Sequence, residues 1–152
     1  MSLVLIKQDL LKSDATVIMH QANCFNKMGA GIAKQIARKY PRALIADNNC
    51  SLSPKERLGW FSHSVSIGEP TIVNLYGQYG YGSGVHTEYD KLESAISNFL
   101  LFAKNSEVIN LDKIGVPYKM GCGLAGGDWN IVKEILEKMS NKHNVDIYIY
   151  QL

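Results

Sequence analysis

At 152 residues the chain suits one domain, 1–152, with enough surface buried on folding for an ordinary core. Apolar residues make up 46% and charged residues 20%, the composition of a globular rather than a disordered chain. A formal charge of +2 is too small for a nucleic-acid footprint, and no apolar run approaches the roughly 18–20 residues of a membrane span.

Neither a nucleic acid nor a membrane is therefore expected as a partner. The N-terminal MSLVLIKQDLL is broken by Lys7, Gln8 and Asp9, which makes it a poor signal peptide. Cys24, Cys50 and Cys122 are odd in number and unrelated in spacing, so they form neither a disulfide framework nor a zinc pattern. Reduced thiols in a cytoplasmic protein, with no metal and no cofactor, are the expectation.

In chain order, residues 3–6 and 16–20 read as short strands, the second β-branched and apolar. From Gly29 the period changes. Ile32, Ala33, Ile36, Ala37 and Tyr40 share one helical face, and Pro41 is expected to stop the helix. Lys34, Arg38 and Lys39 lie toward its C-terminal end, where cations suit the helix dipole. Residues 41–59 offer no firm pattern beyond a short helix and a loop. Residues 60–66 and 71–76 look like strands separated by Gly68 and Pro70.

The stretch YGQYGYGSGVHTEY follows. Its Gly- and Tyr-rich residues 77–85 could stack single-stranded nucleic acid, but no Lys or Arg lies between Glu69 and Lys91 to track a backbone. A ligand lid or a plain flexible loop are the readings that stay open. Thr87-x-x-Asp90 fits a capping box that opens a helix with Leu92, Ile96, Phe99, Leu100 and Ala103 on its apolar stripe. Residues 113–117 read as a strand, residues 128–139 as a helix buried through Ile131, Val132, Ile135, Leu136 and Met139, and residues 145–150 as the last strand. Such alternation argues for an α/β sheet covered on both faces, with a ligand outside the carboxyl ends of the strands.

Two glycine-rich turns each lead from a strand into a helix. The first contains Asn26, Lys27, Met28, Gly29, Ala30, Gly31 and Ile32; the second is Gly121-Cys122-Gly123-Leu124-Ala125-Gly126, letter for letter G-x-G-x-x-G. Glycine admits close approach of a ligand, and a helix N-terminus presents unsatisfied N–H groups to an anion. The two turns either clasp a diphosphate from both sides or are merely tight connections. A Rossmann fingerprint would open the first strand-helix-strand unit and be followed by an acidic residue about 20 positions on. Here 152 − 126 leaves 26 residues, room for one helix and one strand, and Asp146 falls in that last strand. No G-x-x-x-x-G-K-[ST] occurs either.

HQANCFNKMGAGIAKQIARKYP, followed far downstream by IGVPYKMGCGLAGGDWNIV, resembles the macro domain family. Within it, the nearest branch holds the terminal ADP-ribose protein glycohydrolase and the yeast-type ADP-ribose-1″-phosphate phosphatase. The matching spans are MGAGIA, GCGL with Trp129 beyond it, and the terminal aromatic strand ending in Leu152; the middle third matches least. The resemblance implies a three-layer α/β/α fold with a mixed central sheet. It implies a cleft for ADP-ribose or a derivative, with ADP-ribosylated protein as a further partner. By position, Asp9 would accept from the adenine amino group and Tyr150 would stack near adenine. Met28, Gly29, Ala30, Gly31 and Ile32 would form the first diphosphate loop, and Gly121, Cys122, Gly123 and Leu124 the second. Asn23 and Asn26 would face the distal ribose. Read from residues alone, Asp9 is also an ordinary turn aspartate and Tyr150 a packed strand residue.

The glycohydrolase has a lysine in its middle segment and an aspartate directly after GCGL. This chain has His86 and Ala125 there, which tells against a lysine-based covalent mechanism. Three catalytic candidates remain. Asp128 is a general base for attacking water or simply an N-cap. His86 is an acid, a base or a phosphate partner, or else a surface histidine. His20 ends a strand at the cleft edge or belongs to the core. Cys122 reads as a packing residue, since nothing local supplies it with a base. The expected activity is hydrolysis of ADP-ribose-1″-phosphate or of an ADP-ribosyl ester on protein. The alternative is a non-catalytic reader of ADP-ribose.

Overall fold

Six strands and five helices alternate among the residues that the computed structural model describes, 2–82 and 84–152. The strands are β1 (Leu3–Lys7), β2 (Val17–Ala22), β3 (Phe61–Ser64), β4 (Thr71–Tyr76), β5 (Ile114–Pro117) and β6 (Ile147–Gln151). The helices are α1 (Gly31–Lys39), α2 (Pro41–Asn48), α3 (Pro54–Arg57), α4 (Tyr89–Lys104) and α5 (Trp129–His143), and a 3-10 turn covers Leu10–Lys12. The sheet order is β1-β6-β5-β2-β4-β3. Every pairing is parallel except β3 with β4, so the sheet is mixed.

A parallel interior strand is covered on both faces, and all six residues of β2 and of β4 are buried. The period of two then divides them between two cores. Val17, Met19, Val73 and Leu75 pack with Ile96 and Phe99 of α4 and Val132 and Leu136 of α5. Ile18 and Ile72 point the other way, toward Ile36 of α1 and Ala43 of α2. The result is the three-layer α/β/α arrangement.

Pro41 stops α1, which breaks at Tyr40, and is itself the first residue of α2, where its missing N–H costs nothing. Three other local expectations need correction. The preceding helix opens at Gly31 rather than Gly29. Thr87 does not cap α4, which begins after Glu88 without a side-chain cap; its hydroxyl donates instead to the Gly121 carbonyl at 2.6 Å. Its oxygen accepts from the distant Gln21 Nε2, at 2.8 Å, and not from a helix amide. Ile131 is 38% exposed, on the outer side of α5, while Val132, Ile135, Leu136 and Met139 are buried. Asp128 does cap α5, accepting from the Asn130 N–H at 2.9 Å.

A chain of buried hydrogen bonds joins β2, β4, β3 and α2. His20 Nε2 meets Asn74 Oδ1 at 2.6 Å, directly across the β2–β4 ladder. Asn74 Nδ2 donates to the Ala43 carbonyl and to Ser62 Oγ, both at 3.0 Å. Ser62 Oγ lies 2.7 Å from the Tyr76 hydroxyl, which donates to Asp47 Oδ1 at 2.6 Å. The Ala43 carbonyl can only accept, so it fixes the Asn74 amide, and His20 must then donate from Nε2. Apart from the branch to Ala43, the donors run from His20 through Asn74, Ser62 and Tyr76 to Asp47.

Burial drives the pKa of His20 down to about 4, against the opposing hydrogen bond to Asn74. Between about 4 and 6.5 the unfolded chain binds this proton and the folded chain does not. Stability contributed by neutral His20 is therefore complete above pH 6.5 and is lost as pH falls toward 4, by roughly 3 kcal/mol. Urea melts from pH 7 to pH 4 should show this slope in the wild type and a shallower one in His20→Gln, where the half-buried His63 and the buried His143 still contribute; parallel profiles would refute it. Gly115 makes a second, steric prediction. A Cβ there would stand 2.7 Å from Leu10 Cδ1 and 3.0 Å from Tyr150 Cε1. Gly115→Ala should cost about 1–3 kcal/mol in the same assay at pH 7.

Candidate functional site

The β2–β5 ladder holds for only two pairs, Val17 with Ile114 and Ile18 with Gly115. Beyond them β2 leads to α1 on one face of the sheet, and β5 leads to α5 on the other. Neighbouring strands whose exits diverge leave a crevice at their carboxyl ends. A cavity of about 390 Å³ opens there, of a size suited to a small molecule.

One wall is the loop between β2 and α1. Asn23 shapes it: its Oδ1 accepts from Phe25 N at 2.9 Å and Lys27 N at 3.4 Å, and its Nδ2 donates to the Lys27 carbonyl at 2.8 Å. Asn26 has a φ of 61°, and its side chain accepts from Arg57 Nη1. The buried Arg57 guanidinium also donates to the carbonyls of Cys24, Cys50 and Leu52. It thereby ties the loop to the segment between α2 and α3. At the loop's end α1 begins after Ala30 with no side-chain cap. The first-turn N–H groups are thus left for the cavity, which Ala30, Gly31, Ile32 and Ala33 border.

The facing wall is the loop between β5 and α5. Gly121, at a φ of 75°, accepts from Gly127 N at 2.9 Å and folds the loop on itself. A Cβ on Gly121 would meet the Gln21 amide at 3.0–3.2 Å, so glycine is needed for approach as well as for φ. Gln21 Nε2 donates to Gln78 Oε1 and to Thr87 Oγ1, each at 2.8 Å. The Ala125 carbonyl accepts from the backbone of His86 and Thr87. These bonds interlock the second glycine loop with the Gly- and Tyr-rich loop, whose Gln78, Tyr81 and Gly82 close the third side.

The cavity runs into a recess of about 360 Å³ that shares Ile32, Pro117 and Tyr118 with it. Asp9 and Tyr150 border this recess. The Asp9 carboxylate accepts from Leu11 N at 3.0 Å, and Tyr150 is 3% exposed with no hydrogen-bond partner for its hydroxyl among the described residues. From β6, beside the recess, to β4, beside Gln78, there are three strand intervals. At about 4.8 Å each they span about 14 Å.

The sequence-derived residues thus fall into groups. Asn23, Met28, Ala30, Gly31, Ile32, Gly121, Cys122, Gly123 and Leu124 border the cavity. Gly29 and Asn26 do not, and Asn26 is committed to Arg57. Among the catalytic candidates, His20 lies in the core, fully buried against Asn74. His86 is half-buried, its ring against Gly80 and Gly84 and outside the cavity lining. Asp128 is exposed, also outside the lining, with its N–H donating to the Tyr89 hydroxyl. Burial first and the Asp128 charge second push the Cys122 thiol up, so it is a poor nucleophile. Burial likewise pushes Cys24 up to about 11.

Three contributors carried no sequence signal: Gln21, Arg57 and Asp47. Asp47 borders the cavity yet is 1% exposed, and burial raises its pKa despite the Tyr76 hydrogen bond and the Arg57 charge. Lys27 and Lys119 are the cationic side chains on the lining among the described residues.

The sequence profile of the Macro domain family matches residues 19–136, a span that includes both glycine loops. An uncharacterised 17.5 kDa protein from the tk-vs intergenic region of Enterobacteria phage T4 is 29% identical over 148 residues, covering 93% of this chain and 92% of that one. The ADP-ribose 1″-phosphate phosphatase of Candida glabrata is 28% identical over 174 residues, covering 94% of this chain and 96% of the enzyme. The solved structure of Thermosipho africanus DarTG in complex with ADP-ribose superposes with a TM-score of 0.80 at 18% identity, over 99% of this chain and 42% of that one. With the profile covering well over half its length, the chain belongs to the macro domain family.

Proposed function

We propose that this chain binds ADP-ribose along the carboxyl edge of its sheet and hydrolyses an ADP-ribose derivative at the distal ribose. The derivative is ADP-ribose-1″-phosphate or an ADP-ribosyl ester on protein. One observation carries the reading: two glycine-rich loops at helix starts face each other across a cavity that continues into the recess of Asp9 and Tyr150. The span of about 14 Å suits an elongated ligand with a base at one end, a diphosphate between the loops and a sugar at the other end. In this reading the second oxygen of Asp9 accepts from the adenine amino group. The uncapped start of α1 and the glycine-loop amides hold the diphosphate, with Lys27 and Lys119 nearby.

The Candida glabrata phosphatase supports hydrolysis, and the DarTG complex supports the ligand. Asp128 is the carboxylate assigned to hold the attacking water. It stands at the end of the second loop, close enough for its charge to act on Cys122, and His86 is its proton partner. His20 is withdrawn from catalysis by its burial and its bond to Asn74. A second reading, a reader without activity, is favoured by Ala125 and by the position of Asp128 and His86 outside the lining.

Calorimetry with ADP-ribose at low and moderate salt should give binding at both; no heat at either would sink both readings. Asp128→Asn keeps a good N-cap while removing the base. It should retain ADP-ribose affinity and release phosphate from ADP-ribose-1″-phosphate at least about 100-fold more slowly. Unchanged release would remove Asp128 from the mechanism. No release by the wild type, from the phosphate or from an ester-linked substrate, would leave the reader.

A further inference from the structure

Asp47 lies on α2 at the far end of the cavity from Asp9. It does not border the recess, and its Oδ1 is held by Tyr76 at the end of β4. Asp47 is 1% exposed and borders the cavity. Its Oδ2 has no hydrogen-bond partner among the described residues. Arg57, whose charge acts on Asp47, directs four of its five N–H groups to Cys24, Asn26, Cys50 and Leu52, and no hydrogen bond or ion pair from it to Asp47 occurs among the described residues. The buried polar chain donates into Oδ1 alone. A buried acceptor left without a donor is costly, which makes Oδ2 the strongest unmet acceptor at this end.

The neighbouring groups do not compete for the role. Asn23 Oδ1 already accepts twice, from Phe25 and Lys27, so its lone pairs are used. Gln21 Oε1 also lacks a donor, but it fills the space left by the missing side chains of Gly77 and Gly121, where a Cβ would stand 2.6 and 3.0 Å from it. A carboxylate repels phosphate, so what docks on Asp47 is a neutral donor.

Resting on the reading of the ligand as ADP-ribose, we propose that Asp47 Oδ2 accepts a hydrogen bond from a hydroxyl of the terminal ribose. Asp47 is thus the residue that distinguishes ADP-ribose from ADP. The diphosphate stays at the glycine loops, and the sugar end is read by a buried carboxylate on the opposite side of Asn23.

The test compares ADP-ribose with ADP, which lacks the terminal sugar, as calorimetric ligands of the wild type and of Asp47→Asn. The variant should bind ADP-ribose about 10-fold more weakly or worse and bind ADP unchanged, the loss of one hydrogen bond to a charged group. Equal weakening of both ligands would make Asp47 a structural residue and overturn the inference. So would unchanged affinity for both. Should the variant fail to fold, a crystal structure of the wild type with ADP-ribose decides: a ribose hydroxyl within about 3.0 Å of Oδ2 supports the assignment, and a water or no contact there overturns it. A wild type that binds neither ligand would sink the ADP-ribose reading and this inference together. ADP-ribose binding that ignores the Asp47 substitution would sink the inference alone.

Discussion

The two-pair ladder between β2 and β5 is the constraint from which the site follows. Four consecutive residues of β5 pair with β6, but only Ile114 and Gly115 also pair with β2. Beyond Gly115 the two strands have nothing to hold them together, because their exits run to helices on opposite faces. Gly115 itself sits where a side chain would strike Leu10, Ala15 and Tyr150, so the sheet is pinched at its middle and parts at its edge. Both glycine loops hang from that parting, and their separation is a property of the sheet rather than of the loops.

Holding the loops at that separation needs ties of a different kind on each side. The first loop is held from below by one buried cation, Arg57, which grips its Cys24 carbonyl and Asn26 side chain and ties them to the Cys50 and Leu52 carbonyls between α2 and α3. A buried guanidinium is tolerable only when its donors are met, and here three carbonyls and the Asn26 side chain accept from four of the five. The second loop is held by neutral groups, Gln21, Thr87 and the Ala125 carbonyl, which lock it to the loop after β4. The asymmetry matters for the helix starts. On the second side Asp128 occupies the N-cap of α5, while α1 keeps its first-turn amides open to the cavity.

Much of this was legible in the sequence where the signal is local. The β-branched run of β2, the 3.6 period of α4 and α5, and both strand-to-helix glycine turns stand in consecutive residues, and Asp128 is a cap wherever it is placed. What could not be read depends on partners far along the chain. Thr87 has the spacing of a capping residue, yet its hydroxyl answers to Gly121, 34 positions away. Arg57 and Asp47 lie in the stretch that offered no periodicity, and nothing nearby distinguishes a buried charge from a surface one. Asn26 was assigned to the ligand by resemblance, but a buried guanidinium competes for its side chain. His20 resolves the other way: its neighbour across the ladder, Asn74, is invisible until β2 and β4 are aligned.

The distribution of charge is also consistent with the anion site proposed for this nearly neutral chain. Of 16 Lys and Arg residues, Lys27 and Lys119 are those on the lining among the described residues, so side-chain charge is a minor part of the proposed diphosphate site. The larger part is fixed dipoles: amides at a helix start and in glycine turns, which neither titrate nor need to be ordered when a ligand arrives. Fixed dipoles within a cavity are screened by salt less than exposed lysines are. The same economy sets where a carboxylate can stand. Asp47 is kept one strand beyond the loops, where in the proposed reading it faces the uncharged end of an elongated ligand and leaves the positive end of α1 uncontested. A cavity graded from amide donors to a single buried acceptor orients such a ligand by its own polarity.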